Sequence, residues 1–370
     1  MSDVVIVDYL RSPFTLARKG GLAGVRPDDL AAGVVKALVA RSGIDAADIE
    51  DVMLGCAFPE GEQGLNMARL VVLLAGLPQS VGGVTINRFC GSSMQSIHAA
   101  AGAIKMGAGE VFVCAGVESM SRVPMMGFNP LPNPRLNTEV PGAYMSMGIT
   151  AENVAKRNGV SRADQEAFAA QSQRKAAAAD FTAEIAAISG ITKDGCIRPE
   201  TTVDVLASLS PAFQADGTVT AGTSSPLTDG AAAVLVCSAD YAKRHGLKPL
   251  AKIRGIAISG CDPEIMGMGP VGASRKALRR AGLEIKDIGI VEINEAFAAQ
   301  ALACLRELGL AESIVNLDGG AIALGHPLGA SGARITGKAA SLLQREKKQF
   351  ALATQCIGGG QGIATVLEAC

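Results

Sequence analysis

The sequence predicts an α/β protein in which buried parallel strands alternate with helices. Short runs rich in β-branched residues, such as Val4–Val7 and Val111–Ala115, recur along the chain and are separated by Ala- and Gly-rich stretches of helical length. Strands that are buried on both faces have this nearly continuous apolar pattern, and their alternation with helices is typical of βαβ units. Of the 370 residues, 48% are hydrophobic and only 19% are charged, so the chain can bury a large core.

Each element follows from its local pattern, taken in chain order. Segments with short apolar runs are predicted as strands: Val4–Val7, Val52–Gly55, Val84–Asn87, Val111–Ala115, Ala233–Cys237, Ala251–Ser259, Ile290–Ile293, Phe350–Gln355 and Ile363–Leu367. Segments with helical length and many small residues are predicted as helices: Pro27–Arg41, Met67–Ala75, Ser92–Met106, Gly272–Ala281, Phe297–Leu308 and Ala330–Arg345.

The middle of the chain interrupts the alternation and predicts an inserted domain at residues 119–219. It begins with a Pro- and Asn-rich loop and continues into two helices, the second opened by Ser161-Arg-Ala-Asp164, a capping-box pattern. The remaining chain is predicted to form two similar halves, residues 1–118 with 220–248, and residues 249–370. An internal echo supports this, because the segments around Cys90 and His326 each run through a Gly/Ser turn, a helix and a strand.

Composition and spacing exclude several classes of protein. With 34 basic and 35 acidic residues, the net charge of −1 offers no basic excess, so no nucleic-acid partner is expected. No apolar run has membrane-spanning length and the start of the chain does not resemble a signal peptide, so we expect no membrane insertion and a cytoplasmic location. The nine cysteines and three histidines are not clustered at metal-ligand spacing, so no metal site is predicted.

Cys90 and His326 lie in local settings that favour chemistry. Cys90 follows a strand and precedes a helix, where backbone N–H groups and the helix dipole are expected to favour the thiolate. His326 lies in the glycine-dense stretch Gly319–Gly332, which permits close approach of the backbone to a ligand. The alternatives are an inert buried cysteine and a turn histidine with an ordinary hydrogen bond.

Two further strand ends are candidates. Cys356 ends a strand and enters the glycine-rich turn Gly358–Gly362, whose N–H groups could form an oxyanion hole, bind phosphate or simply make a tight turn. Asn294 ends another strand, where an N-cap is the ordinary interpretation. The stretch Gly267–Gly272 matches G-x-G-x-x-G, but Pro270 removes a phosphate-facing N–H, so it is not interpreted as a dinucleotide site.

Four segments together resemble the motifs of the thiolase family, and the resemblance covers essentially the whole chain. They occur in the family's order, as Asn87–Gln95 (NRFCGSSMQ), Asn294–Phe297 (NEAF), Gly325–Arg334 (GHPLGASGAR) and Cys356–Gly362 (CIGGGQG). The resemblance implies a five-layer α-β-α-β-α sandwich built from two βαβαβαββ halves, with the inserted loop domain lying over coenzyme A. It also implies a homodimer or homotetramer.

The resemblance further implies the chemistry of a 3-ketoacyl-CoA thiolase, a ping-pong retro-Claisen cleavage. Cys90 would attack the 3-keto carbon, and Cys356 would act as the general acid and base. His326, with a water held by Asn294, would stabilise the thioester enolate. The N–H groups of Cys90 and Gly358 would form a second oxyanion hole.

Coenzyme A is expected as a co-substrate, with no permanently bound cofactor. By resemblance, Ser225 is predicted to bind the pantetheine arm, and Phe297 and Met147 are predicted to contact the same ligand. The loop that carries a nucleotide-binding basic residue in the family is short here, so Lys193 and Arg198 are only candidates for that role.

Ser146 stands where acetoacetyl-CoA-forming thiolases carry a histidine, which favours the broader degradative type. Six methionines could line an adaptable acyl pocket or belong to ordinary core packing: Met125, Met126, Met145, Met147, Met266 and Met268. The alternatives are an acetoacetyl-CoA thiolase working in the condensing direction and a non-catalytic thiolase-like acyl or sterol carrier. A ketoacyl synthase is disfavoured, since such enzymes do not pair the nucleophile with a second cysteine. A β-oxidation enzyme is a further expected partner.

Overall fold

A computed structural model describes residues 2–370. Its strands are β1 (Val4–Arg11), β2 (Thr15–Leu16), β3 (Ile49–Gly55), β4 (Gly82–Ile86), β5 (Val111–Ser119), β6 (Thr228–Ser238), β7 (Ala251–Gly260), β8 (Ile290–Ile293), β9 (Phe350–Ile357) and β10 (Gln361–Ala369). Its α-helices are α1 (Pro27–Ser42), α2 (Met67–Leu74), α3 (Ser92–Met106), α4 (Pro134–Glu139), α5 (Met147–Arg157), α6 (Arg162–Ala178), α7 (Val203–Ala207), α8 (Ala239–Arg244), α9 (Gly269–Ala281), α10 (Ala298–Leu308), α11 (Ala321–Leu324) and α12 (Leu328–Glu346).

The strands form two groups, and the strands of both groups are arranged in the same spatial order. The first group runs β4-β3-β5-β6-β1 and the second runs β8-β9-β10-β7, while the short β2 pairs with β6. In the first group β3 is parallel to β5, which is antiparallel to β6; in the second, β8 is parallel to β9, which is antiparallel to β10. The groups join through two antiparallel residue pairs between β1 and β7. The predicted similarity of the two halves is confirmed.

The repeat is reduced at one edge of the second half. Strand β4 pairs with β3 over five residues in the first half. At the corresponding position in the second half, beside β8, there is only a single parallel bridge between Val291 and Val315. The second half therefore has a weaker edge than the predicted βαβαβαββ pattern.

Helices and sheets alternate in five layers, as predicted. Helices α1 and α2 pack on the outer face of the first strand group through an apolar cluster that includes Leu30 and Val71. Helices α3 and α12 lie between the two groups, in a cluster that includes Met94 and Ile335. Helices α9 and α10 cover the outer face of the second group. Because helices lie on both faces, β5 and β6 are buried along their whole length.

The central helices approach their neighbours through glycines. A Cβ at Gly332 of α12 would lie 2.4 Å from the backbone nitrogen of Met94 in α3. A Cβ at Gly116 of β5 would lie 2.1 Å from the carbonyl oxygen of Gly329 in α12. No side chain fits at these distances, so the layers that carry the Cys90 and His326 segments can be this close only with glycine at these positions.

The chain between β5 and β6 holds α4 to α7, and a buried ion-pair network joins it to both halves. Arg11 of β1 pairs with Glu184 at 2.7 Å and with Asp194 at 2.7 Å. Lys338 of α12 pairs with the same Glu184 and with Asp318, each at 2.7 Å. Breaking such a buried pair leaves an uncompensated charge, so this network holds the three parts of the chain in one arrangement.

The predicted capping box at α6 is confirmed, since the Ser161 side chain accepts the Asp164 N–H and the Asp164 carboxylate accepts the Ser161 N–H. The exact boundaries predicted for the inserted domain and the two halves stay predictions. Within residues 2–370, none of the helices combines the length and the apolar character that crossing a membrane requires.

Candidate active site

A single cavity of about 750 Å³ collects residues from both halves and from the chain between β5 and β6. The predicted site residues that line it are Cys90, His326, Cys356, Gly358, Ser225, Phe297 and Met147. Asn294 lies directly behind His326 and contacts its ring. Residues separated by more than 260 positions in the chain are thus brought to one place.

Cys90 is held in a tight turn between β4 and α3. The residue before it, Phe89, has a φ of 41°, in the left-handed region that few non-glycine residues adopt. Ser92 stabilises this turn, because its Oγ accepts the Arg88 N–H at 2.9 Å and donates to the Phe89 carbonyl at 2.6 Å. Gln355 of β9 donates to the Cys90 carbonyl oxygen, so the turn is fixed from the second half as well.

The Cys90 thiol is uncharged at neutral pH. Burial raises the pKa of Cys90 to about 11, although hydrogen bonds from the Gly358 and Cys90 N–H groups act in the opposite direction. The nearby charge of Glu118 raises the pKa further. The N–H groups therefore act as the sequence predicted, but the expectation that the thiolate would be favoured is wrong, because desolvation outweighs them.

His326 lies between α11 and α12, buried and oriented by three contacts. Its backbone N–H donates to Thr228 Oγ1 at 3.1 Å, and its ring Nδ1 lies 2.5 Å from Ser331 Oγ. The preceding Gly325 has a φ of 102°, and a Cβ there would lie 2.6 Å from Thr228 Oγ1. Burial and the charge of Arg334 lower the pKa of His326 to about 3, so the imidazole is neutral at physiological pH.

The hydrogen bonds around His326 select one tautomer. Ser331 Oγ donates to the Pro327 carbonyl at 3.0 Å, so it accepts the proton of His326 Nδ1. The other ring nitrogen, Nε2, accepts from Asn294 Nδ2 at 3.3 Å. The arrangement leaves Nε2 without a proton, as the acceptor nitrogen of the ring.

Asn294 is not a helix N-cap. Its N–H donates to the Thr354 carbonyl at 3.0 Å, and α10 begins only at Ala298, with Phe297 in the N-cap position. Its Oδ1 is buried and has no hydrogen-bond partner among residues 2–370. A buried, unpartnered amide oxygen beside a histidine is a place where a water molecule can be held.

Cys356 and Gly358 occupy the end of β9 and the turn that follows. Cys356 is 1% exposed, and burial together with the neighbouring Cys90 raises its pKa well above the ordinary thiol range. Gly359 and Gly360 have φ values of 80° and 84°, a backbone shape that turns the chain sharply into β10. The turn leaves the Gly358 N–H directed at the Cys90 sulfur.

The residues predicted to contact coenzyme A form one side of the cavity. Ser225 is anchored by its N–H, which donates to the Ala296 carbonyl at 3.0 Å, and it lines the cavity. The Phe297 ring meets Phe213 edge to face at 5.9 Å. Met147 begins α5 and packs in the apolar cluster that contains Cys356.

The remaining candidates divide between the cavity and the rest of the surface. Ser146 and five of the six methionines line the cavity, and the sixth, Met268, packs against the core beneath α10 instead. Lys193 and Arg198 are exposed and are not among the cavity-lining residues within 2–370. The nucleotide-binding role considered for them stays untested.

Glu118 is a site residue that the sequence analysis missed. It is 1% exposed at the end of β5, and its carboxylate accepts the Ala57 and Gly329 N–H groups at 2.8 and 2.9 Å. It also accepts the Phe58 N–H at 3.2 Å and Gln63 Nε2 at 2.7 Å. The carboxylate thereby ties the loop after β3 to the first turn of α12, two cavity walls. A charged residue in an otherwise apolar strand is the signal that could have found it.

Two models of known protein families match the chain almost end to end. The model described as "Thiolase, N-terminal domain" matches residues 4–240. The model described as "Thiolase, C-terminal domain" matches residues 247–369.

Curated relatives and solved structures agree with these matches. The 3-ketoacyl-CoA thiolase of Bacillus subtilis strain 168 is 49% identical, with 100% of each chain covered. The 3-ketoacyl-CoA thiolase of Marinomonas sp. strain MWYL1 is 51% identical, covering 99% of this chain and 98% of the relative. The crystal structure of human mitochondrial 3-ketoacyl-CoA thiolase in complex with CoA superposes with a TM-score of 0.92 at 39% identity, covering 100% of this chain and 98% of that one.

Proposed function

The chain belongs to the thiolase family of acyltransferases, and from this premise we propose that it cleaves 3-ketoacyl-CoA with free CoA, yielding acetyl-CoA and a shortened acyl-CoA. The observation that carries the proposal is the meeting of Cys90, His326 and Cys356 on one cavity. Two thiols and a neutral imidazole are what a reversible thioester exchange with carbon–carbon cleavage requires. A non-catalytic carrier would need none of the three.

The first step activates Cys90. His326 Nε2 is an acceptor in the resting tautomer, and it takes the proton of the Cys90 thiol. The thiolate then bonds to the 3-keto carbon and the carbonyl oxygen becomes an alkoxide. The N–H groups of Cys90 and Gly358, which already contact the sulfur, are suited to hold this oxyanion.

The second step breaks the bond between carbons 2 and 3 of the substrate. The acyl group stays on Cys90 as a thioester, and the electron pair of the broken bond leaves on the enolate of acetyl-CoA. The protonated His326 keeps its proton and donates a hydrogen bond from Nε2 to the enolate oxygen, which also accepts one from a water held by the unpartnered Asn294 Oδ1. Cys356 then gives its proton to the enolate carbon, and acetyl-CoA leaves.

The third step returns the enzyme to its starting state. The Cys356 thiolate takes the proton of an incoming CoA thiol, and the CoA sulfur attacks the acyl-Cys90 thioester. Collapse releases the shortened acyl-CoA, and Cys90 recovers its proton from His326. The high pKa of the Cys356 thiol suits a group that must first give up a proton and then regain one from another thiol.

The pantetheine arm is proposed to bind along Ser225, Phe297 and Met147. The hydroxyl of Ser225, a cavity-lining residue, can pair with a pantetheine amide, since such an amide needs a partner when it leaves water. The Phe297 and Met147 side chains supply apolar walls close to Cys356. Ser146 in the cavity wall adds space beside this arm, which favours the degradative type over an enzyme confined to acetoacetyl-CoA.

The test is the rate of thiolysis across 3-ketoacyl-CoA substrates from four to sixteen carbons, with Cys90→Ser as the control. We expect kcat/KM to hold or rise beyond four carbons, and Cys90→Ser to be inactive on every substrate. Activity limited to acetoacetyl-CoA would replace the proposal by the condensing, short-chain alternative. Binding without turnover would replace it by the carrier.

A homodimer formed through β4 is proposed as the assembly. Within residues 2–370, β4 is paired on one side only, and its other edge is free. Exposed apolar side chains cluster beside it, with Leu65 at 87% exposure and Leu73, Leu74 and Val84 at 39 to 50%. Val84→Asp should shift the mass measured by light scattering to a monomer, whereas Met106→Asp, at another exposed position, should not. A β-oxidation partner and the cytoplasmic location stay predictions.

A further inference from the structure

One side of the cavity, lined by residues other than those proposed for the pantetheine arm, has walls that are almost entirely apolar. The rings of Phe58 and Phe89 lie 5.8 Å apart at its base, next to Cys90. Met125, Met126 and Leu131 of the segment 125–132 continue this wall outward. They are 45%, 49% and 82% exposed, so the apolar surface extends from the cavity into solvent. This side is called the acyl arm below.

Glu60 holds the segment 125–132 against the rest of the site. Its carboxylate accepts the Phe128 N–H at 2.7 Å, a bond between residues 68 positions apart. A Cβ at Gly127 would lie 2.2 Å from Glu60 Oε1, so the backbone passes directly over the carboxylate. Gly127 also has a φ of 78°, in the left-handed region that favours glycine.

The Phe128 ring makes a second contact with the same loop. A Cβ at Gly61 would lie 2.8 Å from this ring, so the ring rests on the bare backbone of Gly61, whose φ is 54°. The carboxylate of Glu60 and the backbone of Gly61 thus contact the backbone and the ring of one residue. These two contacts attach the outer wall of the acyl arm to the loop after β3.

The lining of the acyl arm favours the acyl chain over the nucleotide of CoA. Glu60 is itself a cavity-lining residue, and its negative charge would repel the phosphates of a nucleotide. The apolar walls offer few partners for the pantetheine amides, which can instead pair with the Ser225 hydroxyl elsewhere in the cavity. With the keto carbon at Cys90, the two ends of the substrate must leave in different directions.

We propose that Glu60 is a positioning residue that latches the segment 125–132 over the acyl arm, and that this latch sets how strongly kcat/KM rises with acyl chain length. The inference rests on the proposed function. It assigns specificity to a contact that touches neither the reacting atoms nor CoA. Each methylene buried against the wall raises transition-state binding by about fourfold.

The experiment compares thiolysis of 3-ketododecanoyl-CoA and acetoacetyl-CoA by the full-length enzyme. Acetoacetyl-CoA carries only a methyl group beyond the keto carbon, so the ratio of the two kcat/KM values reports the contacts made by the longer acyl chain. If Glu60→Ala releases two methylenes from contact, the ratio should fall by roughly fifteenfold. Phe128→Ala removes the second grip and should lower the same ratio in the same direction.

Two control variants separate the latch from a general loss of structure. Glu60→Gln keeps an oxygen that accepts the Phe128 N–H, so its ratio should stay within about twofold of the wild type. Glu62→Ala removes a carboxylate two residues away that pairs with Arg122 and Arg26, and it should leave the ratio unchanged.

The outcomes distinguish this inference from the function on which it rests. An unchanged or increased ratio in both Glu60→Ala and Phe128→Ala, with acetoacetyl-CoA still cleaved, would overturn the latch alone. A fall in the ratio for Glu60→Gln equal to that for Glu60→Ala would also overturn it, because the bond would then not be the cause. Failure of the wild type to cleave either substrate would instead overturn the proposed function.

Discussion

Replacing Glu118 by glutamine perturbs the site through a single atom. The carboxylate accepts four N–H groups, two at each oxygen. Oε2 accepts from the Ala57 and Gly329 backbones, and Oε1 accepts from the Phe58 backbone and the Gln63 side chain. Glu118→Gln preserves the shape but turns one oxygen into an NH2 group. Whichever oxygen is replaced, two buried N–H donors then face another donor.

The expected loss of stability follows from those two lost hydrogen bonds. Each buried N–H left without a partner costs about 1–3 kcal/mol, so the free energy of unfolding should fall by about 2–6 kcal/mol. The substitution also removes the negative charge that contributes to the raised pKa of Cys90. The Cys90 pKa should therefore fall, and its thiol should react faster with an alkylating reagent near neutral pH, even though the protein is less stable.

The assay combines urea unfolding with the rate of iodoacetamide labelling at Cys90, followed by peptide mass mapping. Glu295→Gln is the matched control, since Glu295 is another buried carboxylate, held by Ser172 and Asn316, and its charge does not contribute to the Cys90 pKa. The control should lose stability without faster labelling. A stability loss below about 1 kcal/mol in Glu118→Gln would refute the reasoning about the four N–H groups. Unchanged labelling would refute the reasoning about the charge.

Three further outcomes are expected. Ser331→Ala removes the acceptor of the His326 Nδ1 proton, so kcat should fall by about 10- to 100-fold with little change in KM; an unchanged kcat would mean that the tautomer is set otherwise. Labelling of Cys90 should rise steadily toward alkaline pH, because its pKa is raised to about 11, with no inflection near pH 6.5, because the pKa of His326 is lowered to about 3; a step near pH 6.5 would show a thiolate–imidazolium pair instead. Lys338→Met leaves Glu184 with one cation fewer and should lower the free energy of unfolding by about 3–5 kcal/mol in urea titrations, and a change near zero would contradict the importance of the ion-pair network.

The fold could be predicted from local pattern because local and global preferences agree in most of this chain. Each predicted strand and helix is present, and Ser92–Met106 and Ile290–Ile293 match to the residue. The short elements β2, α4, α7, α8 and α11 were missed, since two to six residues carry too little periodicity to be recognised. Boundaries were shifted where tertiary pairing extends a strand, as in β6, which starts at Thr228 rather than Ala233.

The site was predictable where a motif names the residue, and not where a contact over long sequence separation creates the role. Asn294 illustrates the first case, since its predicted position beside His326 is where it lies, whereas its ordinary interpretation as an N-cap is wrong. Glu118 and Glu60 illustrate the second, because their partners Gly329 and Phe128 are 211 and 68 positions away. The electrostatic error at Cys90 has a related cause, since desolvation depends on what the rest of the fold packs around the thiol.

The central claim is that Cys90 carries the acyl group, and intact mass spectrometry tests it most directly. The enzyme is mixed with acetoacetyl-CoA in the absence of free CoA, so that acetyl-CoA leaves and the acyl-enzyme has no second substrate. We predict one added acetyl group per chain, mapped to Cys90, none in Cys90→Ser, and an adduct that forms but turns over poorly in Cys356→Ala with acetyl-CoA as donor. An adduct that persists at another cysteine in Cys90→Ser would contradict the account.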